Sequence, residues 1–339
     1  MPSRRAGRCP RLLRRRRALW LHPSSSIARS SWLAYLPMVF RPWARLMSGN
    51  SPSADVVEPA IRLSEQNYEK MAEFVTRELG IKMPKSKKSM VQSRLLRRVR
   101  QLGLQSLDEY SEYLFSSPQS TDERVHFIDA MTTNKTDFFR EPKHFDYLTQ
   151  KVLPELEGSG VHKLKKKITV WSAACSTGEE PYTLAMILSE YALPRPQFDF
   201  QILSTDISTR VLLTARDGIY SRHQIEPVPR DLRRKYLLNG KGENRSLVRV
   251  TPELRRRISF HRLNLMDEDY RVKQIFDIVF CRNVLIYFDR ATQEAVIGKL
   301  CRNLAPGGYL FISHSESLSG LNLPLISVGS SCFQKQEGL

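Results

Sequence analysis

The residues best suited to chemistry in this chain lie in one loop, Ser172 to Glu180, which reads SAACSTGEE. The short apolar run Ile168 to Trp171 before it predicts a buried strand. The apolar spacing from Tyr182 to Tyr191 after it predicts a helix. A tight small-residue turn between a strand and a helix is where nucleotide-type cofactors bind in doubly wound α/β folds.

The composition of this loop limits the cofactor. A diphosphate needs close backbone approach at several glycines, as in G-x-G-x-x-G, but the loop has only Gly178 beside the carboxylates of Glu179 and Glu180. It therefore suits a cofactor with a cationic group and no phosphates, a description that S-adenosylmethionine fits. A purely structural alternative stays open, because Thr177 and Glu180 have capping-box spacing and Pro181 suits a first helical turn.

Two further polar segments follow predicted strands. Asp206, in the sequence STDIS, ends the second strand, where a carboxylate can accept two hydrogen bonds from a ribose diol. The alternative for Asp206 is the N-cap of the next helix. Arg282 and Asn283, in CRNVLIYF, end the fourth strand, and such a polar pair within an apolar run is costly unless it is satisfied or used. The alternative for Asn283 is a buried amide that bonds the backbone at a bend.

A third segment, TTNKTDFFRE from Thr132 to Glu141, lies between a helical and an α/β part of the chain. Clefts between domains favour ligand sites. Its structural alternative is the capped start of a helix, with Thr133 or Asn134 as the cap.

The elements that must position these residues are predicted from periodicity. Residues 61–150 show helical patterns without convincing strand alternation, with Lys88 to Leu102 as one helix. From residue 167 strands and helices alternate, which predicts a doubly wound sheet with one nucleoside site at the carboxyl ends of its strands. The predicted strands are 167–171, 199–204, 258–263, 276–281 and 308–313, with helices at 179–191, 208–216 and 290–304.

Three details of this sheet region are less regular. Pro306 to Gly308 predicts a turn before the fifth strand, and 325–334 predicts a single closing antiparallel strand. Residues 218–257 interrupt the alternation and carry hairpin signals, so they are interpreted as an insertion. Within that insertion, Leu247 to Val250 is predicted to be a small edge strand.

The segments in this order resemble the CheR family, the chemotaxis-receptor glutamate O-methyltransferases. The resemblance runs from about Leu63 to Gln334 and rests on T-T-N-x-T-x-F-F-R, W-S-A-A-C-S-T-G-E-E-P-Y, S-T-D-I, G-I-Y, C-R-N-V-L-I-Y-F and H-S-E-S. It implies an α/β fold: a class I (Rossmann-like) S-adenosylmethionine-dependent methyltransferase sheet in residues 151–339. A helical N-terminal domain at 59–150 would precede it, and the insertion at about 218–257 would be a small β-subdomain.

The resemblance also implies roles for individual residues. Glu180 matches the acid near the methionine or its sulfonium, Asp206 matches the ribose acid, and Arg140 and Tyr287 match the residues closest to methyl transfer. Cys175 is interpreted as small-residue packing and not as a nucleophile. The residues implied to bind S-adenosylmethionine are Asn134, Thr136, Arg140, Glu180, Asp206, Asn264, Leu265, Arg282 and Asn283.

The implied reaction agrees with the chemistry of the residues. A glutamate side chain has a reference pKa of about 4.3, so it is ionised at neutral pH and needs no general base. Catalysis would then rest on in-line positioning and partial desolvation. We expect no metal, because none of the five cysteines has C-x-x-C spacing and the seven histidines show no H-E-x-x-H arrangement.

The partner of such an enzyme would be a methyl-accepting chemoreceptor with acidic cytoplasmic helices. Four arginines cluster on one predicted helix: Arg94, Arg97, Arg98 and Arg100. Charge alone favours a solvated basic face, whereas the resemblance favours docking of the acidic receptor helices there. A C-terminal receptor peptide bound to the insertion is a further implied partner. The alternatives are a related carboxyl methyltransferase of another signalling pathway and a cofactor-sensing module without turnover.

The net charge of +18 does not indicate a nucleic-acid enzyme. Eleven of the eighteen net charges come from arginines in residues 1–50, which contain no acid, and no aromatic-basic RNA motif is present. This basic extension, residues 1–58, resembles a transit peptide or a region upstream of a true start at Met38 or Met47, and we favour the second interpretation. For the remainder we expect a cytoplasmic monomer without membrane insertion.

Overall fold

The computed structural model describes residues 62–116, 120–158 and 167–337. The basic extension at 1–58, with its alternative starts at Met38 and Met47, lies outside the described residues. Among the described helices, none has both the length and the apolar character needed to cross a bilayer.

The first part of the described chain is a bundle of four helices: α1 (Glu65–Leu79), α2 (Lys88–Leu102), α3 (Leu107–Ser116) and α4 (Ser120–Met131). The Ser64 hydroxyl caps α1 by accepting from the backbone N–H of Asn67, and Gly80 ends the helix in the left-handed conformation. The apolar faces of the four helices bury one core that contains Phe74, Leu95 and Phe127. The predicted helical domain is therefore confirmed.

A second helical segment joins this bundle to the sheet. It consists of α5 (Lys143–Tyr147), a π-helical turn (Leu148–Val152) and α6 (Leu153–Gly158). Its buried residues Phe145 and Leu148 belong to the same core as the sheet residues Ile278 and Phe280. Judged by the core in which the side chains pack, the boundary between the helical domain and the sheet domain therefore lies near residue 132, whereas the sequence predicted it near residue 150.

The sheet has seven strands in the order β6-β2-β1-β7-β8-β10-β9. The first five of these run parallel, as the predicted doubly wound sheet requires, and an apolar core lies on each face of the sheet. Helices α7 (Glu179–Ala192), α8 (Thr209–Asp217) and α11 (Arg290–Arg302) lie between them in the chain. The strands of the sheet are β1 (Ile168–Ala173), β2 (Phe200–Asp206), β6 (Ile258–Arg262), β7 (Phe276–Cys281), β8 (Leu304–Phe311), β9 (Leu325–Gly329) and β10 (Cys332–Lys335).

Two predictions at the far edge of the sheet were wrong. The single closing strand at 325–334 is a hairpin, in which β10 pairs antiparallel with both β8 and β9 and Ser331 has a positive φ at the turn. The predicted turn at Pro306 to Gly308 lies inside β8, opposite a register shift in β7. A bulge and a turn use the same residue types, so composition alone does not distinguish them.

The insertion is confirmed as a separate three-stranded antiparallel sheet, in the order β3 (Ile219–Ser221), β5 (Leu247–Val250) and β4 (Leu237–Asn239). Short helices α9 (Arg230–Tyr236) and α10 (Pro252–Arg255) flank β4 and β5 in the chain. The prediction that Leu247 to Val250 forms an edge strand was wrong, because β5 pairs on both sides. A strand's own alternation reports which face is buried and not how many neighbours it has.

Candidate functional site

One cavity lies at the carboxyl ends of the parallel strands β1, β2 and β7. The segment from Thr132 to Arg140 forms its opposite wall, and the chain after β6 closes one side. Every residue that the sequence predicted for cofactor binding or catalysis lines this cavity: Asn134, Thr136, Arg140, Glu180, Asp206, Asn264, Leu265, Arg282, Asn283 and Tyr287.

The loop after β1 enters the cavity through unusual backbone geometry. Ala174, Ser176 and Gly178 all have positive φ, at 60°, 49° and 97°. A side chain at Gly178 would also lie 2.9 Å from Ala215 Cβ, so this position accepts only glycine. The Tyr220 hydroxyl of the small sheet donates to the Thr177 carbonyl at 2.7 Å and anchors the loop from behind.

The capping-box alternative for this loop is excluded. Gly178 is the N-cap of α7 and offers no side chain, while the Thr177 hydroxyl donates to Glu179 at 2.6 Å. Glu180 turns instead to the cavity, where its carboxylate accepts from the Ser172 hydroxyl at 2.7 Å. Glu179 is buried outside the cavity lining, and burial raises its pKa to about 7 against the hydrogen bond from Thr177. The two adjacent acids therefore have different environments.

Asp206 ties the ends of β1 and β2 together. Its carboxylate accepts from the backbone N–H of Ser176 at 2.8 Å and from that of Ser208 at 2.9 Å. Burial raises its pKa although both bonds favour the charged form. The side chain that caps α8 is Ser208, so the N-cap alternative for Asp206 is also excluded. Asp206 lies in the cavity wall at the end of β2, where a ribose acid is expected.

A buried ion network crosses the floor of the cavity. The Arg282 side chain is only 1% exposed, and its guanidinium donates to Glu180 and to Glu141, each at 3.0 Å. It also donates to the backbone carbonyl of Arg140 at 2.6 Å. Arg282 thus joins the end of β7 to the loop after β1 and to the segment before α5.

Glu141 is a component that sequence reasoning missed, although it directly follows the arginine of the T-T-N motif. Its carboxylate accepts from Arg282, from the Ser313 hydroxyl at 2.7 Å and from the Asn283 amide at 3.2 Å. Burial alone would raise the pKa of Glu141, but the donors Ser313, Arg282 and Asn283 together lower it to about 2. Asn283 therefore bonds side chains here, contrary to the backbone-bonding alternative.

The two predicted catalytic residues are half-buried on the cavity wall. Arg140 lies between Phe139 and Glu141, both at positive φ, and its guanidinium donates to the Lys135 carbonyl at 3.1 Å. Tyr287 is the last residue of a single 3-10 turn (Leu285–Tyr287) after β7. The T-T-N segment contains no helix start at Thr133 or Asn134, so that alternative was wrong.

The loop that carries Tyr287 is held by a second missed residue, Glu316 of the H-S-E-S motif. Its carboxylate accepts from the backbone N–H groups of Ser313 at 2.7 Å, Asn283 at 3.2 Å and Leu285 at 2.8 Å. Asn283 has a positive φ of 61°, and its N–H and that of Leu285 bond to the same carboxylate. The H-S-E-S motif was visible in the sequence. The role of Glu316, however, depends on contacts with residues more than thirty positions earlier in the chain, which the motif does not reveal.

The lining of the cavity fits S-adenosylmethionine. One part is apolar, with Leu79, Ile81, Leu265, Val284 and Phe288, and suits an adenine ring. Asn264 fixes that part by donating to the Glu78 carbonyl at 2.7 Å and accepting from the N–H of Met266 at 3.0 Å. The other part carries the carboxylates of Glu180 and Asp206, which suit a cationic amino-acid end and a ribose.

The basic helix is divided by the fold. Arg94 donates to the Met131 carbonyl at 2.6 Å and to the Thr133 hydroxyl at 2.9 Å, so it fixes the end of α4. Arg98 pairs with the buried Glu123, which also accepts from the Tyr110 hydroxyl at 2.7 Å. Arg97 and Arg100 are exposed. The sequence did not indicate this division between internal and external arginines.

The structure also brings together Glu141, His144 and His314, whose ligating atoms lie within 4.8 Å of one another. His144 is buried, and both its ring nitrogens lack a hydrogen-bond partner. Burial, then the nearby Arg282 and His314, lower the pKa of His144 to about 4. The same guanidinium opposes any further positive charge here, so the cluster gives no reason to revise the expectation of no metal.

Comparisons with known proteins agree with this geometry. The model of the CheR methyltransferase SAM-binding domain matches residues 134–333, and that of the CheR methyltransferase all-alpha domain matches residues 66–132. The chain is 38% identical to the chemotaxis protein methyltransferase of Borreliella burgdorferi, over 77% of this chain and 91% of that protein. It is 36% identical to the chemotaxis protein methyltransferase of Salmonella typhimurium, over 81% and 92%, and 38% identical to that of Escherichia coli, over 77% and 87%.

Proposed function

The chain belongs to the CheR methyltransferase family, with S-adenosylmethionine as its cofactor, and we propose that it methylates glutamate side chains of chemoreceptor cytoplasmic helices. The product would be a glutamate methyl ester, formed in the cytoplasm. The observation that supports the proposal is one cavity whose lining includes Arg140 and Tyr287 together with the carboxylates of Glu180 and Asp206. No histidine lines this cavity among the described residues, as suits a substrate that is already ionised at neutral pH.

The residues divide the work of such a reaction. When bound, the cofactor supplies a methyl group made electrophilic by the adjoining sulfonium. Glu180 and Asp206 would bind and orient it, since each carboxylate is already fixed by donors from β1, β7 or the following loops. Arg140 would hold the substrate carboxylate by charge-assisted hydrogen bonds. Tyr287 would orient the attacking oxygen, and its neighbour Phe288 would help to exclude water.

The chemoreceptor as substrate is supported by the relatives, which are named chemotaxis protein methyltransferases. Arg97 and Arg100, exposed on α2, would attract an acidic receptor helix and raise the association rate. The double variant Arg97→Glu/Arg100→Glu should then raise KM for receptor and weaken the salt dependence of methylation. Arg210→Glu/Arg216→Glu, on the exposed surface of α8, is the charge-matched control. Equal behaviour of the two double variants would reject docking through α2.

A C-terminal receptor peptide is a second contact that the small sheet could provide. Strands β3 and β4 are the outer strands of this sheet among the described residues, so an added peptide strand would pair with one of them. Binding of a synthetic receptor C-terminal peptide, followed by isothermal calorimetry, would test this contact separately from catalysis.

The decisive experiment uses residues 47–339, labelled S-adenosylmethionine and acidic receptor cytoplasmic fragments. A carboxyl methyl ester releases methanol in alkali, so base-labile label on glutamate would establish the reaction. Cofactor binding without any base-labile label would reject glutamate methylation of these receptors. Label that resists alkali would instead identify a different acceptor atom.

A further inference from the structure

We propose that Ile286 contacts an apolar side chain of the substrate helix beside the methylated glutamate, an inference that rests on the proposed function. Ile286 would thereby help to select the glutamates that are modified. The occupant of this contact is a receptor helix that presents an apolar residue one turn from an acidic one.

The first support is the exposure of Ile286. Ile286 is 52% exposed, whereas the other residues of the segment Cys281 to Phe288 are buried or line the cavity. The large apolar residues exposed among the described residues are Leu193, Leu213, Ile275, Ile286 and Ile326. Of these, only Ile286 belongs to the segment that forms the cavity wall. Single exposed apolar side chains are common on protein surfaces, so what distinguishes Ile286 is its place at the edge of the cavity, beside residues that line it.

The second support is the fixed position of this side chain. Successive residues of a 3-10 turn point about 120° apart. Leu285 is buried and Tyr287 lines the cavity, so Ile286 faces solvent beside the cavity. Glu316 holds the turn from below by accepting from the Leu285 N–H, and the Gln293 amide donates to the Leu285 carbonyl at 2.9 Å. A side chain on a held backbone loses little freedom on binding.

The third support is the charge around it. Phe288, at the end of the same segment, packs against Gly80, and Asp289 pairs with Lys82 at 3.8 Å. The segment of Ile286 therefore adjoins the lysine-rich stretch that runs from Lys82 into α2, in which Lys85 is exposed and pairs with Glu69 at 3.4 Å. A helix with alternating acidic and apolar positions, three or four residues apart on one face, could contact both surfaces at once.

The test compares Ile286→Ala with Ile275→Ala in the full chain. Ile275 is 46% exposed and directly precedes β7, at the opposite end of that strand from Ile286, so it is matched in type and exposure. Ile286→Ala should raise KM for a receptor fragment about tenfold, equivalent to about 1.4 kcal/mol of binding free energy. The Kd for S-adenosylmethionine, kcat at saturating receptor and the melting temperature should not change. Ile275→Ala should change none of these quantities.

The outcomes separate this inference from the proposed function. An unchanged KM in Ile286→Ala, with a wild-type enzyme that forms base-labile esters, overturns the inference and leaves the function standing. Weaker binding of S-adenosylmethionine to Ile286→Ala would assign Ile286 to the cofactor pocket and would also overturn the inference. A wild-type enzyme that forms no ester with receptor fragments would reject both.

Discussion

Replacing Glu180 by glutamine should weaken cofactor binding, whereas the same replacement at its neighbour Glu179 should not. The two residues are neighbours in the chain and have the same side chain, but their surroundings differ. Glu180 lines the cavity, whereas Glu179 is buried outside the cavity lining. Both substitutions preserve shape, and at pH 8, where Glu179 is also mostly ionised, both remove a negative charge. The pair therefore isolates the position of the charge from its mere presence.

The magnitude at Glu180 comes from its contacts. A hydrogen bond to a charged group contributes about 1.5–3 kcal/mol, so losing the charge opposite a cationic cofactor should weaken Kd by roughly 10- to 150-fold. The fold should survive, because the buried Arg282 keeps its second carboxylate, Glu141, at 3.0 Å. We expect a fall of about 1–3 kcal/mol in the free energy of unfolding.

At Glu179 the same substitution should raise the free energy of unfolding and not lower it. Its pKa is raised from 4.5 to about 7, so the folded state favours the protonated acid. This contribution to stability is present below about pH 4.5 and is lost as the pH rises through 7. Glutamine cannot ionise, so Glu179→Gln should be more stable than the wild type at pH 8, by about 3 kcal/mol. The difference should disappear near pH 4.5.

Calorimetric titration with S-adenosylmethionine and with S-adenosylhomocysteine, together with urea unfolding at pH 5 and pH 8, would test both variants. A larger loss for the sulfonium compound than for the neutral thioether would place Glu180 beside the sulfur. Equal losses would place it beside the ammonium group that both compounds share. Unchanged affinity for both, or equal losses in Glu179→Gln, would refute the assignment of Glu180 to the cofactor.

Three further changes test other parts of the site. Arg140→Ala should lower kcat by roughly 10- to 150-fold, because a charged hydrogen bond at the reacting group is lost, and should leave the melting temperature unchanged. Wild-type turnover in the ester assay would contradict the role of Arg140. Glu316→Gln should lower the free energy of unfolding by about 1–3 kcal/mol and should also lower kcat, because one amide oxygen cannot accept all the N–H groups that the carboxylate accepts. Wild-type values in urea unfolding and in the ester assay would show that Glu316 does not hold the loop of Tyr287. The pKa of His144 is lowered from 6.5 to about 4, so its contribution to stability is present above pH 6.5 and is lost as the pH falls to 4. His144→Phe should therefore remove about 3 kcal/mol of the loss of stability in acid, and the same pH dependence as the wild type in urea unfolding at pH 7.5 and 4.5 would contradict this prediction.

Much of the site could be predicted from the sequence because its parts are local. The strand before Ala174, the turn at Gly178 and the helix after it are specified by apolar spacing and by residues that tolerate a positive φ. The acid at Asp206 follows the same logic at the end of β2. Since the carboxyl ends of parallel strands meet at one edge of a sheet, these residues were expected to converge, and they do.

What the sequence left open is which polar groups neutralise one another. Arg94 and Arg98 resemble Arg97 and Arg100 in sequence, yet Arg94 and Arg98 bond to α4 and its end while Arg97 and Arg100 are exposed. Periodicity distinguishes a buried face from an exposed one, but a long arginine side chain at the border can serve either.

By itself, then, the sequence determined most of the helices and parallel strands, the cofactor-binding edge of the sheet and the family. The tertiary structure alone decided that β5 is central in its small sheet and that Glu141 and Glu316 hold the floor of the cavity. The physical reason is that propensity and periodicity act between near neighbours in the chain. The ion network around Arg282, by contrast, joins residues more than a hundred positions apart, and only folding brings their charges within reach.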